Sequence, residues 1–200
     1  MTYFALLRHA QTEWNQNKRI QGQMNSPLTP KGKTQAKKWG RILKKQYWNR
    51  IITSDTGRAM ETADLINFFL KVPLTCDSRL REQDWGLWTG KTLAQLKKEV
   101  PRLFTDQVKA GWKFRPPGGE DRNTVLERSK NALKAAGKEW AGERILVVTH
   151  EGVIKCLIYH LYGRKFLPTE QPLIRSRHLH WIVHDRGGIK SEKINALPLN

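Results

Sequence analysis

Short uncharged apolar runs alternate with longer amphipathic segments in the N-terminal part of the chain. Residues 3–7 and 50–54 carry apolar side chains in such runs, which predicts strands buried in a sheet. Residues 30–46 place apolar side chains at helical spacing, with Thr29 as a cap and Pro30 in the first turn. A second amphipathic helix is predicted directly after the second strand, so this part reads as a βαβα pattern.

The middle of the chain is richer in turn-forming residues. A weaker strand pattern at residues 74–76 is followed by a predicted loop that turns at Gly86 and Gly90. Two short helices are predicted on either side of Pro101, and the sequence PPGGED then predicts another loop. We expect this insert, at about residues 91–121, to form a cap over a crevice.

The C-terminal part returns to regular alternation. A helix is predicted around residues 125–136, followed by a strongly apolar strand at 145–149 and an apolar helix at 151–162. Residues 179–184 and 189–194 predict two strands that form a hairpin. The predicted fold class is α/β: a three-layer α/β/α sandwich with a mostly parallel sheet and an antiparallel edge.

Composition favours one globular domain that spans residues 1–200, with 38% hydrophobic residues and no low-complexity tract. No uninterrupted apolar run reaches the roughly 18 residues of a membrane span, and no basic segment precedes the first strand. We therefore expect a soluble, cytoplasmic protein. Cys76 and Cys156 lie far apart without a CxxC motif, so we expect both to be buried and reduced, with no zinc site or disulfide.

The charge balance is strongly basic, with 36 Lys and Arg against 18 Asp and Glu, a net charge of +18. Such a field attracts nucleic acid, anionic membranes and phosphorylated metabolites alike. The densest cluster shares its segment with apolar residues at helical spacing, which favours a solvated helix face over a nucleic-acid surface. Its members are Lys31, Lys33, Lys37, Lys38, Arg41, Lys44 and Lys45. We expect no specific nucleic-acid partner and no membrane partner.

Candidate chemistry lies where predicted strands end. Arg8 and His9 follow the first strand, Arg58 begins the helix after the second, and His150 follows the strand at 145–149. Because the carboxyl ends of parallel strands border one crevice, we expect these side chains to meet there and bind an anion such as phosphate. Taken singly, Arg8 is more typical of a surface ion pair, His9 and His150 of loop histidines and Glu82 of an exposed loop carboxylate, whereas for Arg58 an ion pair and a phosphate contact are about equally typical.

Together these segments resemble the histidine phosphatase superfamily, which has the phosphoglycerate mutase-like fold. LLRHAQTEWN is similar to its RHG signature and QGQMNSPLTPKG to the segment after it. TSDTGRAMETA resembles its arginine segment, LREQDWGLWTG its acid segment, PPGGED a phosphate-proximal loop and VVTHEGV its second-histidine segment. The matches occur in the right order over nearly the whole chain.

The resemblance implies roles for individual residues. His9 would be the nucleophile, Glu82 the proton donor, and Arg8, Arg58 and His150 the phosphate pocket. Residues implied in substrate binding are Asn15, Gln21, Gly22 and Glu151. The implied activity is phosphoryl transfer with no metal and no cofactor, on a small phosphorylated substrate.

Several positions depart from the family pattern. Ala10 replaces a glycine, which requires a negative φ there, and Glu151 replaces a glycine beside the second histidine, which adds a carboxylate to the pocket. Asn25 stands where aspartate is frequent and Glu61 where glutamine is common, and both are interpreted as peripheral. Gln83 stands where phosphoglycerate mutases carry an arginine that grips the substrate carboxylate.

The leading hypothesis is a phosphomonoester hydrolase that acts through a phosphohistidine intermediate. Gln83, and the lack of a longer arginine-bearing insertion, favour this reading over mutase-type phosphoryl transfer. A non-catalytic basic binding protein is less favoured, since a binder has no need of a proton donor. Oligomeric state stays open, with a homodimer through the C-terminal hairpin or an edge strand as one option.

The chemistry adds expectations that a structure can test. A nucleophilic His9 must be neutral, and we expect the adjacent arginines to lower its pKa. Glu82 must carry a proton to give to the leaving alkoxide, and we expect Trp85 and Trp88 to keep water from the site. Cap cations should face the crevice mouth and set selectivity, namely Lys97, Lys98, Arg102, Lys109, Lys113 and Arg115. Trp112 and Phe114 are expected to pack against the body of the protein rather than stack on a substrate ring.

Overall fold

A computed structural model describes residues 1–199 and contains six strands in that range. They are β1 (Thr2–Arg8), β2 (Arg50–Thr53), β3 (Leu74–Cys76), β4 (Arg144–Thr149), β5 (His178–Asp185) and β6 (Gly188–Pro198). All six form one sheet in the order β3-β2-β4-β1-β5-β6. The first four of that order pair in parallel, whereas β5 and β6 pair antiparallel at one edge.

Helices cover both faces of the sheet. Within the described residues they are α1 (Glu13–Gln16), α2 (Pro30–Leu43), α3 (Gly57–Leu70), α4 (Leu93–Glu99), α5 (Pro101–Lys109), α6 (Arg122–Glu139) and α7 (Glu151–Leu161). Side chains of α2 and α3, such as Trp39, pack with Val148 on one face of the sheet, and Leu133 of α6 packs with Val147 on the other. Alternate residues of β4 thus enter separate cores. The predicted three-layer α/β/α fold with a mostly parallel sheet is confirmed.

The helix boundaries differ from prediction in two places. Thr29 caps α2 as predicted, accepting a hydrogen bond from the Gly32 backbone at 2.9 Å. The helix ends at Leu43 instead of residue 46, because the Trp48 indole donates to the Leu43 carbonyl at 2.9 Å and the next residues form a tighter turn. Pro101 opens α5 instead of standing between two helices, since its fixed φ suits a first helical turn.

The predicted loop at residues 79–90 contains two single turns of 3-10 helix, at Ser78–Leu80 and Gly86–Trp88. Gly86 and Gly90 have φ values of +48° and +83°, which confirms them as turn points that disfavour a side chain. This segment carries Glu82 between the two short turns.

The seven cations at residues 31–45 are all exposed, which confirms the predicted solvated face of α2. Among the residues described, no helix combines the length and the apolarity that crossing a bilayer requires. The basic surface therefore belongs to an ordinary amphipathic helix that buries its other face in the sheet.

The prediction that both cysteines are buried is wrong for Cys76. Both thiols are free, and Cys156 lies in the core, but Cys76 is exposed. The reason is that Cys76 ends β3, a three-residue strand at the open edge of the sheet. An edge strand this short has no further strand beside it to cover its last residue.

A glycine in the first turn of α2 fixes the approach of this helix to the segment after β1. The Gly32→Ala substitution would place its methyl group against the Gln11 backbone carbonyl. We expect this overpacking to lower the free energy of unfolding by about 1–3 kcal/mol in urea denaturation. Thr34→Ala, on the exposed side of the same turn, serves as control and should change stability by less than about 0.5 kcal/mol. Equal urea midpoints for the two variants would contradict the packing argument.

Candidate active site

The parallel strands bring the predicted site residues to one edge of the sheet. Arg8 of β1 lies in register with Thr149 of β4, and the His9 backbone donates to the Thr149 carbonyl at 2.9 Å. His150 therefore follows β4 at the same level as His9, and their ring centroids are 5.2 Å apart. Arg58 reaches the same point from the first turn of α3. The structure thus brings together the strand-end residues that the sequence singled out.

A cavity of about 420 Å³ opens at this edge. The predicted site residues that line it are Arg8, His9, Asn15, Gln21, Gly22, Arg58, Glu82 and Glu151. Within residues 1–199 no three His, Cys, Asp or Glu side chains are grouped closely enough to hold a metal ion. The charged side chains that line the cavity include the cations Arg8 and Arg58 and the carboxylates Glu82 and Glu151.

Arg58 is the buried centre of the site, with 1% of its surface exposed. Its guanidinium donates to the Met24 and Gly22 carbonyls at 2.7 Å each. It forms no salt bridge with a carboxylate anywhere in residues 1–199. Burial lowers the pKa of Arg58 to about 10, and the charge of Glu82 opposes that shift only in part. The side chain is therefore a fixed cation whose charge is left for a ligand.

The hydrogen bonds of His9 define which of its two ring nitrogens carries the proton. Its Nδ1 contacts the Ala10 carbonyl at 2.8 Å, which requires Nδ1 to be the protonated nitrogen. The Arg58 Nε donates toward His9 Nε2 at 3.3 Å, which fits an unprotonated Nε2. Burial lowers the pKa of His9 well below its usual value, and the charges of Arg8 and Arg58 lower it further. The direction matches the sequence expectation, but burial outranks the arginines as its cause.

His150 lies beneath the cavity rather than in its wall. The ring is completely buried, and its Nδ1 accepts from Arg58 Nη2 at 3.2 Å. Its Nε2 donates to the Ser54 hydroxyl at 2.9 Å and lies 3.2 Å from the Thr56 hydroxyl. Burial, followed by the charge of Arg58, lowers the pKa of His150 well below its usual value. The geometry makes it a neutral support for Arg58, and its predicted contact with phosphate stays a prediction.

The Glu82 carboxylate is aimed into the cavity by contacts with α7. It accepts from the Gly152 backbone at 3.2 Å and from the Gln83 backbone at 2.9 Å. A side chain at Gly152 would collide with this carboxylate. Arg128 of α6 donates to the Glu82 carbonyl at 3.0 Å, which fixes the backbone of the acid segment to the body of the protein.

Arg8 faces the cavity in an ion pair with Glu151. Glu151 also pairs with Lys155 one turn along α7, at 2.7 Å. Burial raises the pKa of Glu151, but the charges of Arg8 and Lys155 outweigh it, and the net pKa lies below the usual value. Glu151 is therefore an ionised carboxylate inside the pocket that partly neutralises Arg8.

Asn15, Gln21 and Gly22 also line the cavity. The Asn15 side chain accepts from the Thr12 backbone at 3.1 Å, as part of the cap of α1. Gln21 is 7% exposed, and its buried Oε1 has no hydrogen-bond partner in the described part of the chain. Gly22 has a φ of +51°, which lets its carbonyl turn toward Arg58.

Sequence reasoning missed the residues that hold the site in place. Asn25, interpreted as peripheral, accepts from the Arg58 backbone at 2.9 Å and so ties the loop after α1 to the start of α3. Thr62 accepts from the Ala10 backbone at 3.1 Å and donates to the Arg58 carbonyl at 2.7 Å. Ala10 has no positive φ, in line with the expectation for a residue that replaces glycine. The only sequence signal for Thr62 was its position one helical turn after Arg58.

The expectation that the cap cations face the crevice is wrong. All six are exposed, and Leu93 alone of residues 91–121 lines the cavity in the described structure. The short helices α4 and α5 direct their apolar sides inward, so their cations point to solvent. Trp88 is buried with Phe114 in this cap cluster, and only Trp85 of the two expected tryptophans reaches the cavity. Phe114 and Trp112 do pack against the protein, as predicted.

Comparisons with known proteins agree with this geometry. The model of the histidine phosphatase superfamily (branch 1) matches residues 4–197. A Salmonella choleraesuis protein named probable phosphoglycerate mutase GpmB is 36% identical over 158 residues, which cover 79% of this chain and 74% of the relative. The solved structure of Bacillus stearothermophilus YhfR aligns with a TM-score of 0.89 at 31% identity and covers 100% and 99% of the two chains. A mycobacterial glucosyl-3-phosphoglycerate phosphatase solved with VO3 has a TM-score of 0.82 at 28% identity, covering 98% of each chain.

The two buried neutral histidines should make stability fall with acid. Below pH about 6.5 the unfolded chain takes up protons on these residues that the folded state does not bind, so unfolding becomes favoured as pH falls. We expect His9 and His150 each to lower the free energy of unfolding by up to about 2 kcal/mol at pH 5 relative to pH 7.5. Urea denaturation in phosphate-free buffer measures the difference.

The His150→Gln variant should lose its own share of this pH dependence, whatever its absolute stability. His180→Gln provides a comparison outside the site, because burial lowers the pKa of His180 to about 4. If the free energy of unfolding of both variants depended on pH as that of the wild type does, the assignment of neutral buried histidines would be refuted.

Proposed function

The chain belongs to the histidine phosphatase superfamily (branch 1), and on that premise we propose that it is a metal-independent phosphomonoester hydrolase acting through phosphohistidine on His9. The observation that carries the proposal is the His9 ring, whose Nδ1 is tied to the Ala10 carbonyl so that Nε2 keeps its lone pair. A cation, Arg58, lies 3.3 Å from that nitrogen, and Glu82 lines the same cavity. A nucleophile, a charge that stabilises phosphate and a proton donor thus share one site.

In the first step, the Nε2 lone pair attacks phosphorus and the bond from phosphorus to the ester oxygen breaks. Glu82 gives its proton to that oxygen, so the product leaves as a neutral alcohol. Arg8 and Arg58 stabilise the negative charge on the other phosphate oxygens, and Asn15 adds a contact. His150 holds Arg58 in place, since its Nδ1 accepts from that guanidinium.

In the second step, a water molecule attacks the phosphohistidine and the phosphorus–nitrogen bond breaks. The Glu82 carboxylate takes a proton from that water, which restores its acid form, and inorganic phosphate is released. Trp85 limits the access of bulk water from one side of the cavity.

Mutase-type transfer is the second candidate, and the name of the Salmonella relative favours it. The environment of Gln83 favours hydrolysis. Its side chain is 4% exposed and donates to the Glu120 carbonyl at 2.6 Å, so this position supplies no cation for a substrate carboxylate. The reaction product distinguishes the two activities, because a hydrolase releases inorganic phosphate whereas a mutase returns an isomeric phosphate ester.

Phosphohistidine on His9 can be trapped directly. With a radiolabelled phosphomonoester, quenching in base should retain a protein-bound label that acid removes, and added EDTA should not reduce it. His9→Ala should lose both the label and turnover, because no other nucleophile occupies its position. His178→Ala, a histidine outside the cavity, is the matched control and should label normally. A label that persists in the His9→Ala protein would refute the assignment.

The role of Glu82 predicts a dependence on the leaving group. In Glu82→Gln, formation of the phosphoenzyme from an alkyl phosphate should slow by about 10²- to 10⁴-fold. With p-nitrophenyl phosphate, whose leaving group needs no proton, the same step should slow far less. Rapid-quench measurement isolates this step from hydrolysis of the intermediate. Glu61→Gln, outside the cavity, should behave as the wild type with both substrates, and equal slowing of both in Glu82→Gln would exclude a proton donor.

A further inference from the structure

Arg122 is a second immobilised guanidinium in the cavity. It occupies the first turn of α6, and its Cζ lies 4.3 Å from the ring centroid of Phe114 and 4.4 Å from that of Phe166. Its Nη1 donates to the Gly111 carbonyl at 2.8 Å. Two aromatic faces and one carbonyl therefore fix the plane of the guanidinium before any ligand arrives.

The charge of Arg122 has no acidic partner among residues 1–199. Arg8 and Lys155 also line the cavity, but Glu151 partly neutralises both. Lys18 and Arg19 line its rim in full contact with solvent. Burial lowers the pKa of Arg122 to about 10, the same direction and cause as for Arg58. The two rings and the Gly111 carbonyl replace part of the lost hydration, but no carboxylate neutralises the charge of Arg122, which leaves that charge for an anionic ligand.

The surroundings hold Arg122 in this position at some conformational cost. Phe166 has a φ of +60°, a region that bulky residues rarely adopt. Its ring packs edge-on against Trp112 with centroids 4.7 Å apart, and it lines the cavity together with Arg122. Local backbone strain of this kind is typical of positions that hold a functional group in place.

Arg122 and the proposed reacting groups share one cavity. Arg122, His9, Arg58 and Glu82 all line the same space of about 420 Å³. A small substrate whose phosphate lies at His9 and Arg58 can therefore present a second group to Arg122.

We propose that Arg122 binds a second anionic group of the substrate, a carboxylate or a phosphate, in the same cavity as the reacting ester. The proposal rests on the hydrolase function above and narrows its substrates to small phosphomonoesters that carry two separate anionic groups. The planar fork of arginine suits either anion, because both present two oxygens side by side.

The test compares substrates that differ only in the second charge. One pair is 3-phosphoglycerate and glycerol 3-phosphate, and the other is fructose 1,6-bisphosphate and fructose 6-phosphate. Release of inorganic phosphate by the wild type should show a kcat/KM at least about tenfold higher for the doubly anionic member of one pair. The pair with the larger ratio identifies the carboxylate or the phosphate as the ligand of Arg122.

Arg122→Met keeps an unbranched apolar stem between the two rings and removes the charge. We expect it to lower kcat/KM for the preferred doubly anionic substrate by about 10- to 100-fold, with less than threefold change for its partner and for p-nitrophenyl phosphate. Arg102→Met, exposed on α5, makes the same change in net charge away from the cavity and should leave the ratio unaltered. Arg122→Lys should restore part of the preference.

Equal losses on both members of a pair would make Arg122 a packing residue and overturn the proposal. So would a wild type that shows no preference in either pair, a result that requires no variant to fold. Failure of the hydrolase function itself looks different: p-nitrophenyl phosphate would yield neither phosphate nor a label on His9.

Discussion

The burial of Arg58 without a carboxylate partner is the constraint on which the rest of the site depends. An interior cation must be solvated by something, and here backbone carbonyls of Gly22 and Met24 do so. Those carbonyls belong to the loop after α1, so that loop has to fold back over the start of α3. Asn25 closes the connection by accepting from the Arg58 backbone. The path of the loop, the left-handed conformation of Gly22 and the position of the cavity wall all follow from one buried charge.

Burial sets the protonation states of the two histidines beside Arg58, and the charge of Arg58 adds to the effect. His9 and His150 are each buried beside Arg58, and a further positive charge on either would add repulsion to the loss of hydration. Both rings consequently accept from the guanidinium, one at Nε2 and the other at Nδ1. The site is thus arranged for an anion before one binds, which is the condition under which electrostatic stabilisation costs no reorganisation during the reaction.

The sequence was sufficient for the fold and for the set of chemical groups, because both depend on local patterns. Apolar runs mark the strands, Thr29 marks a helix start, and parallel strands bring Arg8, His9 and His150 to one edge. What it could not show are contacts between segments distant in the chain. Asn25 accepts from the backbone of α3 and Arg128 donates to the backbone of the acid segment, and no periodicity encodes such pairs.

Two errors have the same origin. The exposure of Cys76 depends on β3 taking the edge of the sheet, and strand order is a tertiary property. The cap cations were expected at the crevice because they belong to the segment predicted to cover it. The apolar side of each short helix instead decides which way they point. Arg122, just beyond the expected cap, was not predicted as a site residue because a lone arginine at a helix start has no distinguishing pattern.

The pairing of Glu151 with Arg8 bears on how fast the enzyme can turn over. In the proposed hydrolysis, phosphate is both part of the substrate and the final product, so a cation that binds it tightly also slows its release. In the empty pocket Glu151 already occupies Arg8, and a phosphate has to displace that carboxylate to bind. This internal competition weakens the hold on inorganic phosphate after the phosphorus–nitrogen bond has broken. Under the proposed mechanism, Glu151 lowers the affinity of the pocket for inorganic phosphate. It thereby speeds product release, the step that limits many well-evolved enzymes.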